Sequence, residues 1–253
     1  MRQRAAVLIS GRGSNMAALI AAARDPAYPV EIVLAVSNQA QAPGLGLAAA
    51  LGVPTEVVEH RRFKGDRAAH EAAIDAALRA AEVQILCLAG YMRLLTPFLV
   101  GRWAGRMLNI HPSLLPAFPG LDTHARALAA GVKLHGCTVH LVTQTTDEGP
   151  ILAQAAVPVL PDDTAETLAA RVLAQEHIIY PLALRAFASR RSGMSPPADA
   201  ALLNPLPPEG ALLNPLPPEG ALQSPLPPGT APHDPRSPEA VLRDPLPPRA
   251  ALP

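Results

Sequence analysis

The segment Val83-Gln84-Ile85-Leu86-Cys87-Leu88-Ala89 is apolar at every position but one. It is too short for a buried helix and carries no polar–apolar alternation, so it reads as a strand covered on both faces. Ala5-Ala6-Val7-Leu8-Ile9 has the same character. Such strands need a layer of helices on each side, which commits the chain to an α/β architecture, a single domain with a mostly parallel, twisted sheet flanked by helices.

The sequence around these runs alternates accordingly. Residues 16–24 read as a helix, 30–36 as a strand, 45–51 as a short helix ended by Gly52, and 55–58 as a strand. An alanine-rich helix is expected over 66–81, with Asp66 as its N-cap. Then come a helix near 97–103, a strand at 107–110, a helix at 123–130, strands near 136–142 and 151–158, and a long helix from Ala165 to about Arg190. In sheets of this kind ligands sit beyond the carboxyl ends of the strands, so function is expected just after Ile9, Ala89, Ile110 and Val142.

Composition changes after about Arg191. Residues 194–253 hold 18 of the chain's 30 prolines. Ala201-Leu202-Leu203-Asn204-Pro205-Leu206-Pro207-Pro208-Glu209-Gly210 recurs letter for letter at 211–220, and drifted copies follow. Proline removes a backbone donor and clashes with a preceding helical turn, so these repeats form neither helix nor central strand. They read as an extended, disordered tail without a catalytic role, in preference to a proline-rich docking peptide. The expected organisation is a catalytic domain over 1–193 and a tail over 194–253.

The formal net charge is zero, which leaves no electrostatic footprint for nucleic acid or an anionic membrane. No stretch approaches the ~18 apolar residues of a membrane span. The basic start, Met1-Arg2-Gln3-Arg4, precedes an apolar run too short for a secretory signal, so it reads as a first strand and the protein as cytoplasmic. Cys87 and Cys137 are expected as buried small hydrophobes rather than a disulfide framework.

Two segments carry chemistry. The first strand is followed by Ser10-Gly11-Arg12-Gly13-Ser14-Asn15 and then a helix, an arrangement that aims backbone N–H groups at an anion. The third glycine of a dinucleotide fingerprint would fall at Met16, and no Gly-Lys-Ser/Thr follows, so a single phosphate, as on a ribose 5-phosphate, fits better. The second segment is Asn109-Ile110-His111-Pro112-Ser113-Leu114-Leu115-Pro116. On extended chain Asn109 and His111 project to one face. Asn can donate to an oxygen that becomes negative, and His can give or take a proton. That is equipment for acyl transfer without a covalent intermediate. No Gly-x-Ser-x-Gly nucleophile motif occurs. His111, His124, His135 and His140 lack metal-ligand spacing, so no metal is expected.

Taken in order, Ile9-Ser10-Gly11-Arg12-Gly13-Ser14-Asn15, Leu88-Ala89-Gly90-Tyr91-Met92-Arg93-Leu94-Leu95, the Asn109 to Pro116 block with Pro119-Gly120, Asp147-Glu148-Gly149-Pro150, and Gln175-Glu176-His177 before Tyr180-Pro181 resemble the folate-dependent formyltransferases. Within them the Ser-Gly-x-Gly-Ser-Asn loop is similar to that of the group that formylates glycinamide ribonucleotide and of the related formyltetrahydrofolate hydrolase. The resemblance runs from about residue 4 to 190. It implies a Rossmann-related formyltransferase fold. It also implies transfer of the formyl group of 10-formyltetrahydrofolate, as co-substrate, to the amine of glycinamide ribonucleotide in purine synthesis. The partners it implies are these small molecules alone, for a monomer or homodimer.

By resemblance, Gly13, Ser14, Asn15, Met16 and Ala17 hold the ribonucleotide, chiefly its phosphate, and Glu176 binds its ribose. Arg67, Met92, Arg93, Leu94 and Leu95 line the folate pocket, with Asn109 and the loop Thr143, Gln144, Thr145, Thr146 and Asp147 completing it. Asn109 binds the formyl oxygen, His111 donates a proton, and Asp147 raises the pKa of His111. Arg67 reaches its place in the family pattern only with one residue inserted near Phe63-Lys64-Gly65-Asp66. The rivals are formyltetrahydrofolate hydrolase, for which a regulatory domain is expected ahead of the first strand, and methionyl-tRNA formyltransferase, for which a folded basic C-terminal domain is expected. A non-catalytic binding protein that uses the tail is a rival of another class.

Overall fold

β1 (Gln3–Ile9) sends Ala5, Val7 and Ile9 to one face and Ala6 and Leu8 to the other, and all five are fully buried. Each face therefore has its own core. On the first, α1 (Ser14–Ala23) contributes Met16, Leu19, Ile20 and Ala23, and α6 (Ala165–Arg191) contributes Leu168, Val172, Tyr180, Leu184 and Phe187. On the second, α3 (Arg67–Ala80) contributes Ile74 and Leu78, and α4 (Pro97–Arg102) contributes Leu99, with Trp103 just past its end. Full burial of each large apolar side chain is worth about 1.5–3 kcal/mol, so the two layers carry most of the stabilisation.

The structure, a computed structural model, describes residues 1–193. The repeats expected over 194–253 lie outside the described residues. The remaining elements are β2 (Val30–Ser37), α2 (Pro43–Ala50), β3 (Thr55–Val57), β4 (Ile85–Leu88), β5 (Met107–His111), α5 (Thr123–Ala129), β6 (Leu134–Leu141) and β7 (Ile151–Pro158). Every expected element is present. A short 3-10 helix at His60–Phe63 is an addition. Asp66 caps α3 as expected, its carboxylate accepting from the Ala69 N–H at 2.9 Å.

The seven strands are ordered β3-β2-β1-β4-β5-β6-β7. β3, β2, β1, β4 and β5 pair in parallel, whereas β5–β6 and β6–β7 are antiparallel. From β1 the chain moves outward through β2 and β3, then returns to β4 on the other side of β1. The connections after β1 and β4 therefore lead to helices on opposite faces, α1 and α4, which makes this carboxyl edge the switch point at which open α/β sheets bind ligands.

One irregularity sits in β2. Its pairing with β1 skips Val33, since Ala5 faces Ile32 and Ala6 faces Leu34. Val30 and Ile32 accordingly point to the first core, Leu34 and Val36 to the second. The extra residue inverts the phase of the strand. Both cysteines are free and buried, as the apolar runs around them imply. Among the described residues, no helix is long and apolar enough to cross a membrane.

Candidate active site

The loop after β1 enters α1 through Gly13, which holds φ at 74° as the helix N-cap. A side chain there would be strained in this left-handed conformation, and its Cβ would lie 3.1 Å from the Gly44 backbone. The first helical bond runs from the Ala17 N–H to the Gly13 carbonyl. The N–H groups of Ser14, Asn15 and Met16 are thus left outside the helix ladder, which makes a nest for an anion. Met16 contributes only backbone, because its side chain is in the core.

Glu176 approaches this nest from α6. Its carboxylate accepts from Asn15 Nδ2 at 2.6 Å. Burial raises the pKa of Glu176, and the bond from Asn15 partly offsets that rise. Asn15 Oδ1 is buried and has no hydrogen-bond partner. A buried polar atom left unpaired beside a carboxylate is the arrangement of a polar ligand site rather than of a finished core.

The loop after β4 carries Met92, Arg93, Leu94 and Leu95. Met92 and Leu94 are 66% and 62% exposed, so their apolar side chains are open to a ligand. Arg67, the first residue of α3, is exposed, as are Gln144 and Thr146, and the structure joins none of these three to the cluster. Thr143 Oγ1 donates to the Thr145 carbonyl at 3.0 Å and shapes its loop.

Asn109, His111 and Asp147 do come together. The Asp147 carboxylate lies 3.4 Å from His111 Nδ1 and accepts from the Gly120 N–H at 2.8 Å. His111 Nε2 is 3.1 Å from the Phe118 carbonyl. Both ring nitrogens therefore face acceptors. Asp147 itself sits at φ 59°, a left-handed conformation that turns its side chain back toward β5.

The expectation of a functional edge just after Val142 needs correction. β6 is antiparallel, with Leu141 opposite Leu108 and Thr138 opposite His111, so Val142 ends at the amino end of β5, hydrogen-bonded to the Met107 carbonyl. Asp147 reaches His111 because the 143–150 loop doubles back along the sheet. Its return is fixed where the Leu141 N–H donates to the Pro150 carbonyl at 2.9 Å.

His140 is the site residue that sequence reasoning missed. It pairs with Asn109 across β5–β6, and Asn109 Nδ2 lies 3.2 Å from its Nε2. Its Nδ1 is 2.9 Å from the Leu141 carbonyl. Burial depresses its pKa, so the neutral ring donates through Nδ1 and accepts from Asn109 through Nε2. That bond fixes the Asn109 amide and leaves its second hydrogen for another acceptor. Period-two spacing along β6 places His140 on a definite face, but only the strand direction pairs it with Asn109.

A further histidine sits behind the site. The His135 ring packs edge-on against Phe118 and His124. Burial, followed by the His124 charge, lowers its pKa to about 4. With the folded pKa below the unfolded value of about 6.5, this ring contributes stability that is complete above pH ~6.5 and lost as pH falls toward 4. Urea unfolding at pH 7 and pH 5 should show a loss for the wild type and a smaller loss for His135→Phe. Equal losses would remove His135 as a source of acid sensitivity.

Residues 3–184 match the family model described as formyl transferase. A phosphoribosylglycinamide formyltransferase of Haemophilus influenzae is 42% identical over 186 residues, 74% of this chain and 87% of that protein. The trifunctional purine biosynthetic protein adenosine-3 of Bos taurus is 50% identical over 188 residues, but the chain spans only 18% of its length. The crystal structure of phosphoribosylglycinamide formyltransferase from Brucella melitensis superimposes with a TM-score of 0.72 at 60% identity, covering 75% of this chain and 97% of that one.

Proposed function

The chain belongs to the formyl transferase family, and on that premise we propose that it transfers the formyl group of 10-formyltetrahydrofolate to the amine of glycinamide ribonucleotide in purine synthesis. The observation that supports this reading is the presence of two unlike sites at the carboxyl ends of parallel strands of one sheet: a phosphate nest with Asn15 and Glu176 after β1, and the Asn109–His111–Asp147 group at the end of β5.

The roles follow from the chemistry of each group. N–H groups of the Gly13, Ser14, Asn15, Met16 and Ala17 turn bind the phosphate, and Glu176 accepts from the ribose hydroxyls. Arg67, the 92–95 loop and the 143–147 loop hold the folate. The free amine attacks the formyl carbon, and negative charge grows on the formyl oxygen. Asn109, oriented by His140, donates to that oxygen. His111, its ring held at Nδ1 by Asp147, donates the proton that reaches the folate nitrogen; the bond from that nitrogen to the formyl carbon breaks, tetrahydrofolate leaves, and the attacking amine returns a proton to His111. Oriented donors of this kind are worth roughly 3–4 kcal/mol each in a dry site. Neither a metal nor a covalent enzyme intermediate takes part, and the substrates are small molecules found in the cytoplasm.

The acceptor is the testable point. Mass spectrometry should show formylation of glycinamide ribonucleotide and none of methionyl-tRNA; the reverse pattern rejects the assignment. Within the site, Asn15→Ala should raise the KM for the ribonucleotide about ten- to a hundredfold, the scale of a lost hydrogen bond to a charged group, and change the folate KM less than twofold. Equal loss for both substrates would remove Asn15 from the phosphate site.

The domain division belongs to the same proposal. Residues 1–193 hold all the groups assigned a role, so deletion of 195–253 should leave kcat and both KM values within twofold of the full chain. A tenfold fall in activity on truncation would give the repeats a function.

A further inference from the structure

Of the proposed folate loop's residues 92–95, Leu95 packs against the second core, which leaves the stretch ahead of it to other contacts. Met92 and Leu94 are exposed, and the backbone must be fixed by something else. At its far end the Thr96 N–H donates to Glu71 of α3 at 2.7 Å, and the same carboxylate lies 3.4 Å from the Leu99 N–H. At its near end the Met92 N–H donates to Ser10 Oγ at 2.8 Å. Ser10 belongs to the other substrate's loop. It is the first residue after β1, next to Gly11, whose carbonyl accepts from the Gly44 N–H at 3.0 Å, and three before Gly13.

The Ser10 hydroxyl is buried, and its direction is set. It donates to Asn38 Oδ1 at 2.6 Å, which turns its lone pairs toward Met92. Asn38 is itself buried at the end of β2, where its carbonyl lies 2.8 Å from His60 Nδ1. The Ser10 N–H also donates to the Gly90 carbonyl at 3.2 Å. A short chain of hydrogen bonds thus crosses the switch point from β2 through β1 to the loop after β4.

We propose that Ser10 is a positioning residue which, oriented by Asn38, ties the folate loop to the phosphate loop and so sets the distance between the two substrates. The inference rests on the proposed formyl transfer. Two reactants must be held with their reacting atoms about 3–3.5 Å apart, and a displacement of about 1 Å can cost a hundredfold in rate. One buried hydroxyl of the phosphate loop, bonded to the folate loop, links the two directly, alongside the backbone bond from the Ser10 N–H to the Gly90 carbonyl. Among the described residues the Asn38 side chain hydrogen-bonds to Ser10 and His60, so its route to the substrate loops is the Ser10 hydroxyl.

The test is calorimetric binding of tetrahydrofolate and of glycinamide ribonucleotide, each alone, with steady-state kinetics, for the wild type, Ser10→Ala, Asn38→Ala and the double variant. Ser10→Ala should weaken tetrahydrofolate binding about five- to tenfold, the scale of a lost buried hydrogen bond, and lower kcat about tenfold, while ribonucleotide binding stays within twofold. Asn38→Ala should shift the same quantities in the same direction by less. The double variant should bind tetrahydrofolate no more than twofold worse than Ser10→Ala, because the two residues act in series. A general loss of packing would weaken both ligands together. Equal weakening of both ligands, unchanged tetrahydrofolate binding, or additive effects in the double variant would each overturn the inference. A wild-type chain that binds neither ligand would instead overturn the functional reading.

Discussion

Asp147→Asn is expected to slow single-turnover formyl transfer by about a hundred- to a thousandfold, within the range contributed by acid–base groups, while the protein stays folded and binds both substrates. The amide keeps the shape of the carboxylate and its acceptor for the Gly120 N–H. What it loses is the negative charge 3.4 Å from His111 Nδ1 and 3.7 Å from His140 Nε2. An amide that turns its NH2 toward His111 confronts a donor with a donor, which releases the ring from the orientation it needs. His111→Ala should be at least as damaging. The double variant should be little worse than the worse single one, since groups that act as a unit are not additive. Rapid-quench measurement of the formylated product for the three variants checks this. Near-normal rates for Asp147→Asn would make Asp147 an anchor for the 120 region alone and reduce the chemistry to Asn109 and His111.

The second large effect is expected two residues downstream. A Cβ on Gly149 would lie 1.7 Å from the Leu141 carbonyl oxygen and 2.8 Å from its carbon. Both are backbone, so no side-chain rotation relieves the clash. Gly149→Ala should cost at least about 3 kcal/mol, the upper end for overpacking, because the end of β6 or the returning loop must move. It should also lower kcat tenfold or more in the protein that remains folded, because Asp147 rides on that loop. Gly46→Ala is the control. Gly46 is exposed in α2 with nothing within 4 Å of an added Cβ, and alanine there should be neutral or slightly stabilising. Urea unfolding and kcat for the two variants decide. Wild-type values for Gly149→Ala would show that the loop is not held as described.

These effects follow parts of the fold that were legible in the sequence to different degrees. The doubly buried strands were legible because uninterrupted apolar runs have no other short solution, and Asp66 was legible as a cap because its chemistry is local. The inversion of β2 at Val33 was not, because a bulge adds one residue without changing composition. The direction of β6 was not either. A strand such as Cys137-Thr138-Val139-His140-Leu141 has the same pattern whichever way it runs, and its reversal is what brings His140 to Asn109, 31 residues away. Asn109 and His111 could be proposed from the strand end alone. Their partners Asp147 and His140 depend on how separate segments return to the same edge, and Ser10 reaches Met92 across 82 residues of chain. Local rules give strand ends and turns; contacts between loops come only from the assembled sheet.

The phosphate nest and the Asn109–His111–Asp147 group are proposed to serve one transfer between two bound substrates. The most direct measurement is tetrahydrofolate release from 10-formyltetrahydrofolate on the full chain, with and without glycinamide ribonucleotide, followed alongside the formylated product. Release is expected to depend on the ribonucleotide and to match the formylated product mole for mole. Release at the same rate in its absence would show transfer to water instead, and would contradict this reading.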